Sequence, residues 1–277
     1  MYTINCKGKL IVIDKPIVMG IINATTDSFF EGHLHKGIDQ ITALANKMIA
    51  DGATIIDIGG QSTRPGSKAI GAEEEIARVV PVIEAIKKDT DDAVISIDTF
   101  YSKVAAAAVN AGASMVNDIS GGQFDTDMFS TVAALNVPYI CMHIKGLPET
   151  MQQNPSYNNV VKEVIDYFIK KITDCKKAGI KDIIIDPGFG FGKTIAHNFQ
   201  ILQSLSVFSM LEKPILAGIS RKSTIYKTLG TTAENALNGT TVLNTIALMN
   251  GASILRVHDV KEAVEAVKLV NAYNQLR

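Results

Sequence analysis

"IIIDPGFGFGKT", residues 183–194, decides between two folds. A run of Ile that ends in a glycine turn, then Lys193 and Thr194, has the outline of a nucleotide-binding loop. That loop belongs to open α/β sheets and requires Gly, four residues, then Gly-Lys-Ser/Thr. Counting back from Gly192, the first glycine should stand where Pro187 does, and Gly188 is one residue too close. Proline also removes a backbone N–H that a phosphate cradle would use. In the other reading Asp186 is the chemical residue, held at a strand end, and the glycines turn the backbone and keep the space around it clear. Lys193 is then an ordinary exposed or accessory residue.

Working outward, the Ile run is one of eight similar stretches: 16–23, 53–60, 93–99, 114–120, 137–143, 181–188, 213–220 and 252–259. Each is short and nearly continuous in apolar character, as parallel strands covered on both faces must be. Helical patterns fall between them at 37–53, 72–89, 101–113, 126–136 and 160–179, with another at 261–275. Several end on Ala-Gly-Ala or Ala-Gly-Ile, with glycine where a helix C-terminus favours a left-handed residue. Strict alternation with eight strands predicts an α/β TIM (β/α)8 barrel; open doubly wound sheets more often have five or six strands. Residues 2–15, "YTINCKGKLIVIDK", alternate around a Lys-Gly turn and predict a short N-terminal β-hairpin plugging the barrel's bottom. With no linker, repeat or low-complexity stretch, residues 1–277 read as a single domain.

Composition narrows the partners. Hydrophobic residues are 47% and charged residues 20%, with a formal net charge of −1, so no global field draws nucleic acid or an anionic membrane. Neither a secretory leader nor an apolar run long enough to span a bilayer is present, and Cys6, Cys141 and Cys175 lack metal or disulfide spacing. A cytoplasmic protein with reduced thiols is expected.

In a TIM barrel the site lies at the C-terminal strand ends. Here these carry Asn23; Asp57 followed by "GGQSTRPGS"; Asp98; Asn117 and Asp118; Met142 and His143; Asp186; Ser220, Arg221 and Lys222; and Arg256 and His258. Acids and amides dominate the third, fourth and sixth strands. Cations and hydroxyls dominate the second, seventh and eighth. The first group suits a heterocycle carrying an amine and a ring N–H, because a carboxylate accepts two parallel bonds, and a lysine beside it donates to a ring carbonyl and ring nitrogen. Ser62, Thr63, Arg64, Arg256 and His258 suit phosphate oxygens. Asn23 offers a neutral oxygen to Mg²⁺, which usually shares its shell with water and substrate phosphate. Singly, each acid or amide reads equally well as a cap or turn residue, Asp57 and Asp118 above all.

The motifs "MGIINATTDSFFEG", "DIGGQSTRPGS", "ISIDTF", "VNDISGG", "MHIKGLPETMQ", "IIIDPGFGFGKT", "GISRKS" and "RVHDV" together resemble those of dihydropteroate synthase, from Met19 to Val260. The resemblance implies condensation of 6-hydroxymethyl-7,8-dihydropterin diphosphate with p-aminobenzoate to give 7,8-dihydropteroate and pyrophosphate, with Mg²⁺. It also implies a homodimer and a sulfonamide target. By motif it implies a pterin site of Asp98, Asn117, Ile119, Met142, Asp186, Lys222 and Arg256. Asn23, Thr63, Arg64, Arg256 and His258 take the diphosphate, with Asn23 toward the metal. Thr63, Phe191, Ser220, Arg221, Lys222 and Ser223 take p-aminobenzoate; Asp98, Lys222 and Arg256 are the catalytic group. The chain departs from the family at Thr26, where Pro is usual, at His33, and at Lys145, where Arg is common. A pterin-binding methyltransferase-like domain and a non-catalytic pterin-binding paralogue are the rival readings.

Overall fold

The computed structural model describes residues 1–24, 34–61 and 70–275. The chain opens with an antiparallel hairpin of β1 (Tyr2–Cys6) and β2 (Lys9–Ile13). Eight parallel strands follow: β3 (Ile17–Asn23), β4 (Ile55–Gly59), β5 (Ile95–Asp98), β6 (Met115–Asp118), β7 (Tyr139–Met142), β8 (Ile183–Asp186), β9 (Leu216–Ala217) and β10 (Ile254–Val257). Each lies inside a stretch predicted from the sequence. Their order is β8-β7-β6-β5-β4-β3-β10-β9, and a parallel bridge between Ile185 and Ile215 joins β8 to the approach of β9 and closes the ring. The expected TIM barrel is therefore present.

Five predicted helices appear as α1 (Leu34–Ala50), α2 (Ala72–Asp89), α3 (Ser102–Asn110), α4 (Met128–Leu135) and α5 (Val160–Ala178). The sequence reading left unassigned α6 (Ile195–Gln203), α7 (Ser223–Thr228) and α8 (Leu237–Met249), before the expected α9 (Val260–Asn274). Their signals are unusual. Helix α6 starts with Thr194 capping the N–H of His197, whose ring returns the bond in place of the usual Glu or Gln. On α8 the buried face is Thr240, Leu243, Asn244, Ala247 and Leu248, a helical spacing with two polar members. The glycines of the Ala-Gly steps do fall at helix ends with positive φ, at Gly112 and Gly179, as does Gly52 after Asp51.

The barrel's floor places the site. Met19, Ile55, Met115, Ile140, Ile184, Leu216 and Ile254 of seven strands, with Val94 just before β5, point inward and pack against Ile4, Cys6, Ile11 and Ile13 of the hairpin. Each of these side chains contributes about 1.5–3 kcal/mol by leaving water, so the floor is dry and filled. Because side chains alternate along a strand, the next inward position on each lies one layer higher, and there Asp57, Ser96, Asn117, Asp186 and Arg256 bring polar and charged groups in among Ile21, Met142 and Gly218. Cys6, Cys141 and Cys175 are all buried free thiols. Among the described residues no helix is long and apolar enough to cross a membrane.

Candidate active site

Two residues above the floor, β4 presents Asp57, β6 Asn117, β8 Asp186 and β10 Arg256. Arg256 crosses the barrel to donate through Nε to Asp57 Oδ2 and through Nη2 to Asp98 Oδ2, both at 2.6 Å. Asn117 Nδ2 donates to the same Asp57 oxygen at 3.0 Å. Asp57 Oδ1 and Ser96 Oγ, buried on neighbouring strands, have no partner among the described residues. Such atoms are costly unless something arrives to bond them. Burial pushes the Asp98 carboxyl up to about 7; the Arg256 guanidinium opposes this, and the Asp57 charge adds to it.

Across the mouth, Asp186 Oδ1 accepts the Gly188 N–H at 2.7 Å. Burial raises this carboxyl and Lys222 is the main force lowering it. Lys222 Nζ donates to the Phe189 carbonyl at 2.6 Å and lies 4.6 Å from the centre of the Phe191 ring. Burial draws the ammonium down to about 8, against the pull of Asp186. A Cβ on Gly218 would stand 3.8 Å from both Asp186 Oδ2 and Lys222 Nζ, so glycine keeps the space between them clear. Ile119, Met142, Ile144, Met151 and Phe191 form one apolar cluster, with Phe100 and Phe124 at its edge. A flat ring thus has acceptors and a cation at its rim and an apolar wall beside it.

The opening motif folds as the barrel reading requires, with one correction. Gly188 and Gly192 have φ of +70° and +61°, and a Cβ on either would fall 2.0 Å from the His143 carbonyl oxygen or 2.2 Å from that of Lys145. Only glycine allows that turn and that approach. Lys193, expected to be exposed or accessory, is instead 2% exposed. Its Nζ donates to the carbonyls of Gly188 (2.9 Å), Phe191 (3.0 Å) and His143 (3.3 Å) and lies 2.9 Å from His143 Nδ1. Burial, with Lys193 beside it, holds His143 far below its ordinary value and therefore neutral.

Arg221, expected toward p-aminobenzoate, has its guanidinium engaged within the chain: Nε and Nη2 grip Asp259 at 2.8 Å each, and Nη1 donates to the carbonyls of Ala233 and Glu234. Its backbone N–H is also taken, by Thr240 Oγ1 at 3.0 Å. Arg221 fastens the loop that carries Ser220, Lys222 and Ser223. Ser220 Oγ sits 3.0 Å from His258 Nδ1 and accepts the His258 N–H at 3.2 Å. Burial, then Arg256, pushes His258 down to about 4, so toward an anion it is a neutral donor.

Asn23 ends β3 with its side chain exposed and pairs in register with Gly59, whose other neighbour is Asp98. Thr63 and Arg64, and the departures at Thr26 and His33, lie outside the described residues. Among the described residues no group of three or more His, Cys, Asp or Glu could hold a metal. The turn-residue reading was right for Asp118, which accepts the N–H groups of Ser120 and Gly122 and the Tyr139 hydroxyl, each at 2.7 Å. For Asp57 it was wrong, since its carboxylate bonds side chains across the barrel. The signal available was parity: Asp57 is two residues from the floor's Ile55, whereas Asp118 is three from Met115.

Residues 19–258 match the family model described as pterin binding enzyme. The chain is 42% identical over 268 residues to the dihydropteroate synthase of Escherichia coli strain K12, covering 96% of this chain and 94% of that one. It is similar to the Yersinia pestis dihydropteroate synthase solved with a sulfonamide drug, with a TM-score of 0.93, 40% identity and coverage of 99% and 100%. It is also similar to the Xanthomonas albilineans dihydropteroate synthase in complex with 7,8-dihydropteroate, with a TM-score of 0.87, 36% identity and 99% coverage of each chain.

Proposed function

The chain belongs to the pterin-binding enzymes and, among them, to the dihydropteroate synthases, and from that premise we propose how its own residues divide the reaction. It is a transferase of folate synthesis that joins 6-hydroxymethyl-7,8-dihydropterin diphosphate to p-aminobenzoate, forming 7,8-dihydropteroate and pyrophosphate. The observation that carries the division of roles is the placement of Asp186 Oδ2 and Lys222 Nζ beside Gly218, each 3.8 Å from where a Cβ would stand.

Asp186 accepts from the pterin 2-amino group and N3–H, and Lys222 donates to N5 and the 4-oxo oxygen. Asn117 and Asp98 line the far edge, Ile119 and Met142 the apolar wall, and Arg256 lies against the ring face. The diphosphate falls to Asn23, Thr63, Arg64, Arg256 and His258. Phe191, Thr63 and the turn of Ser220, Lys222 and Ser223 receive p-aminobenzoate, whose carboxylate suits backbone N–H groups there. In the reaction the methylene C–O bond breaks with its electron pair leaving on the diphosphate. The aryl amine nitrogen then forms the new C–N bond and releases a proton. Asp98, held by Arg256, faces the positive charge that spreads into the pterin; each such preorganised group is worth about 3–4 kcal/mol in the transition state. An aniline nitrogen is nucleophilic when neutral, so neither His143 nor His258 is needed as a base.

An exposed Asn23 without a carboxylate cage fits Mg²⁺ that arrives largely coordinated by diphosphate and water. Asn23 would hold such an ion beside the diphosphate, where it would supply charge neutralisation for the leaving group. A homodimer is supported by an exposed apolar face on two adjacent helices: Val242, Ile246 and Met249 on α8, and Leu269 and Tyr273 on α9. Three buried free thiols suit a cytoplasmic setting.

The test is pyrophosphate release with Mg²⁺, dihydropterin diphosphate and p-aminobenzoate, omitting each in turn. Release that needs all three is expected. Pterin binding without release would favour a non-catalytic paralogue, and a preference for methyl-tetrahydrofolate would favour a methyltransferase.

A further inference from the structure

The turn from Gly188 to Gly192 is bonded at every carbonyl. Gly188 and Phe191 accept from Lys193 Nζ, Phe189 from Lys222 Nζ, Gly190 from Gln152 Nε2 and Gly192 from the Tyr157 hydroxyl. Loops ordinarily leave such groups to water. Here one buried lysine supplies two of the five bonds from inside the turn. Its Nζ lies 2.9, 3.0 and 3.3 Å from the carbonyls of Gly188, Phe191 and His143 and 2.9 Å from His143 Nδ1, so neutral partners surround it. No carboxylate touches the nitrogen among the bonds it makes. Burial pushes the Lys193 amine well below its ordinary value, and seating it among neutral partners is an expensive way to fill space, so its value lies in what the turn carries: the Phe191 ring, and the Phe189 carbonyl that aims Lys222.

We propose that Lys193, seated on His143, is a positioning residue that fixes the p-aminobenzoate wall and acts on the reaction through Phe191. This rests on the reading of Phe191 as that wall. Asn117 stands on a strand with no bond to the turn, and Asp186 stands on a strand and touches it only through the Gly188 N–H, while Lys222 meets it only at the Phe189 carbonyl, so pterin should respond less than p-aminobenzoate.

The experiment is steady-state kinetics of Lys193→Met beside calorimetric titration with pterin and thermal unfolding. The KM for p-aminobenzoate should rise about tenfold, while pterin affinity changes less than about threefold. Lys193→Ala should show the same defect, reduced by adding n-propylammonium, which refills the vacated space. Activity lost only in proportion to folded protein, with KM for p-aminobenzoate unchanged, would overturn the proposal, as would equal losses for both substrates. If neither variant folds, Tyr157→Phe, which removes one bond at the turn's end, should raise the same KM about twofold; no change refutes the idea. Phe191→Ala separates the layers of inference. A raised KM there with a silent Lys193→Met sinks only the positioning role, and no effect from either sinks the reading of Phe191.

Discussion

Replacing Glu75 by Gln should make the protein more stable, and increasingly so as pH rises. Glu75 lies on the inner face of α2 with 1% of its surface exposed. Oε2 accepts from the Thr99 hydroxyl at 3.2 Å, and Oε1 has no partner among the described residues. Burial, then the charge of Asp98, pushes this carboxyl from 4.5 up to about 8, against weaker pulls from Thr99 and Arg78. A carboxyl raised on folding binds more protons in the native state, so the stability it confers is full below the unfolded value and is lost as pH climbs to the folded one. Each pH unit within that window costs about 1.4 kcal/mol. Over the gap, the glutamate withdraws ~3 kcal/mol by pH 7 and ~5 kcal/mol above pH 8. Glutamine has the same shape and no charge, so it removes the slope, although its amide adds a constant offset. The assay is urea unfolding of both proteins from about pH 5 to pH 9, comparing slopes rather than single values. Parallel profiles for wild type and Glu75→Gln would refute the account.

Asp186→Asn should weaken pterin binding by about 1.5–3 kcal/mol in calorimetry with the fold intact, the value of a hydrogen bond to a charged group; unchanged affinity would remove Asp186 from the pterin site. Because Lys222 is drawn down to about 8, its positive charge thins above that pH, and pterin affinity should decline there in the wild type. The Lys222→Met protein should lack that alkaline limb; a shared limb would mean another group titrates. Arg221→Met should lose about 1–3 kcal/mol on unfolding and raise the KM for p-aminobenzoate by loosening the Ser220–Ser223 loop, and a protein with native kinetics would show the clamp to be dispensable. Leu269→Asp, placed where the side chain is 73% exposed, should halve the mass seen in sedimentation, and an unchanged mass would move the dimer interface elsewhere.

The barrel was legible because eight apolar runs, spaced by helical periodicity, leave little choice of topology, and the observed strands fall within the predicted stretches. Helix α8 escaped because Thr240 and Asn244 occupy its buried face, where packing overrides a polar pattern. Asp98, Asn117, Asp186, Lys222 and Arg256 could be gathered from strand ends alone, since the fold brings all strand ends to one mouth. Direction was harder. Asn117 and Asp118 are adjacent, yet one faces the barrel and the other the Tyr139 hydroxyl on the helix side. Arg221 and Lys222 are likewise adjacent, and the positive φ of Arg221, 54°, helps turn one cation to Asp259 and the other to Phe189. Lys193 was misread because nothing local announces a buried lysine; its acceptors come from a turn that must already be folded around it and from His143, fifty residues away.

The hairpin plug also sets a sequence of events in time. Residues 2–13 are made before the barrel strands, but the surface they cover includes Ile254 of β10. They must therefore wait for nearly the whole chain before their apolar side, Ile4, Cys6, Ile11 and Ile13, finds its seat. Contacts of such long range form late and slow the search for the native state. In that interval the hairpin's apolar side lies unsealed and open to mispairing with another copy.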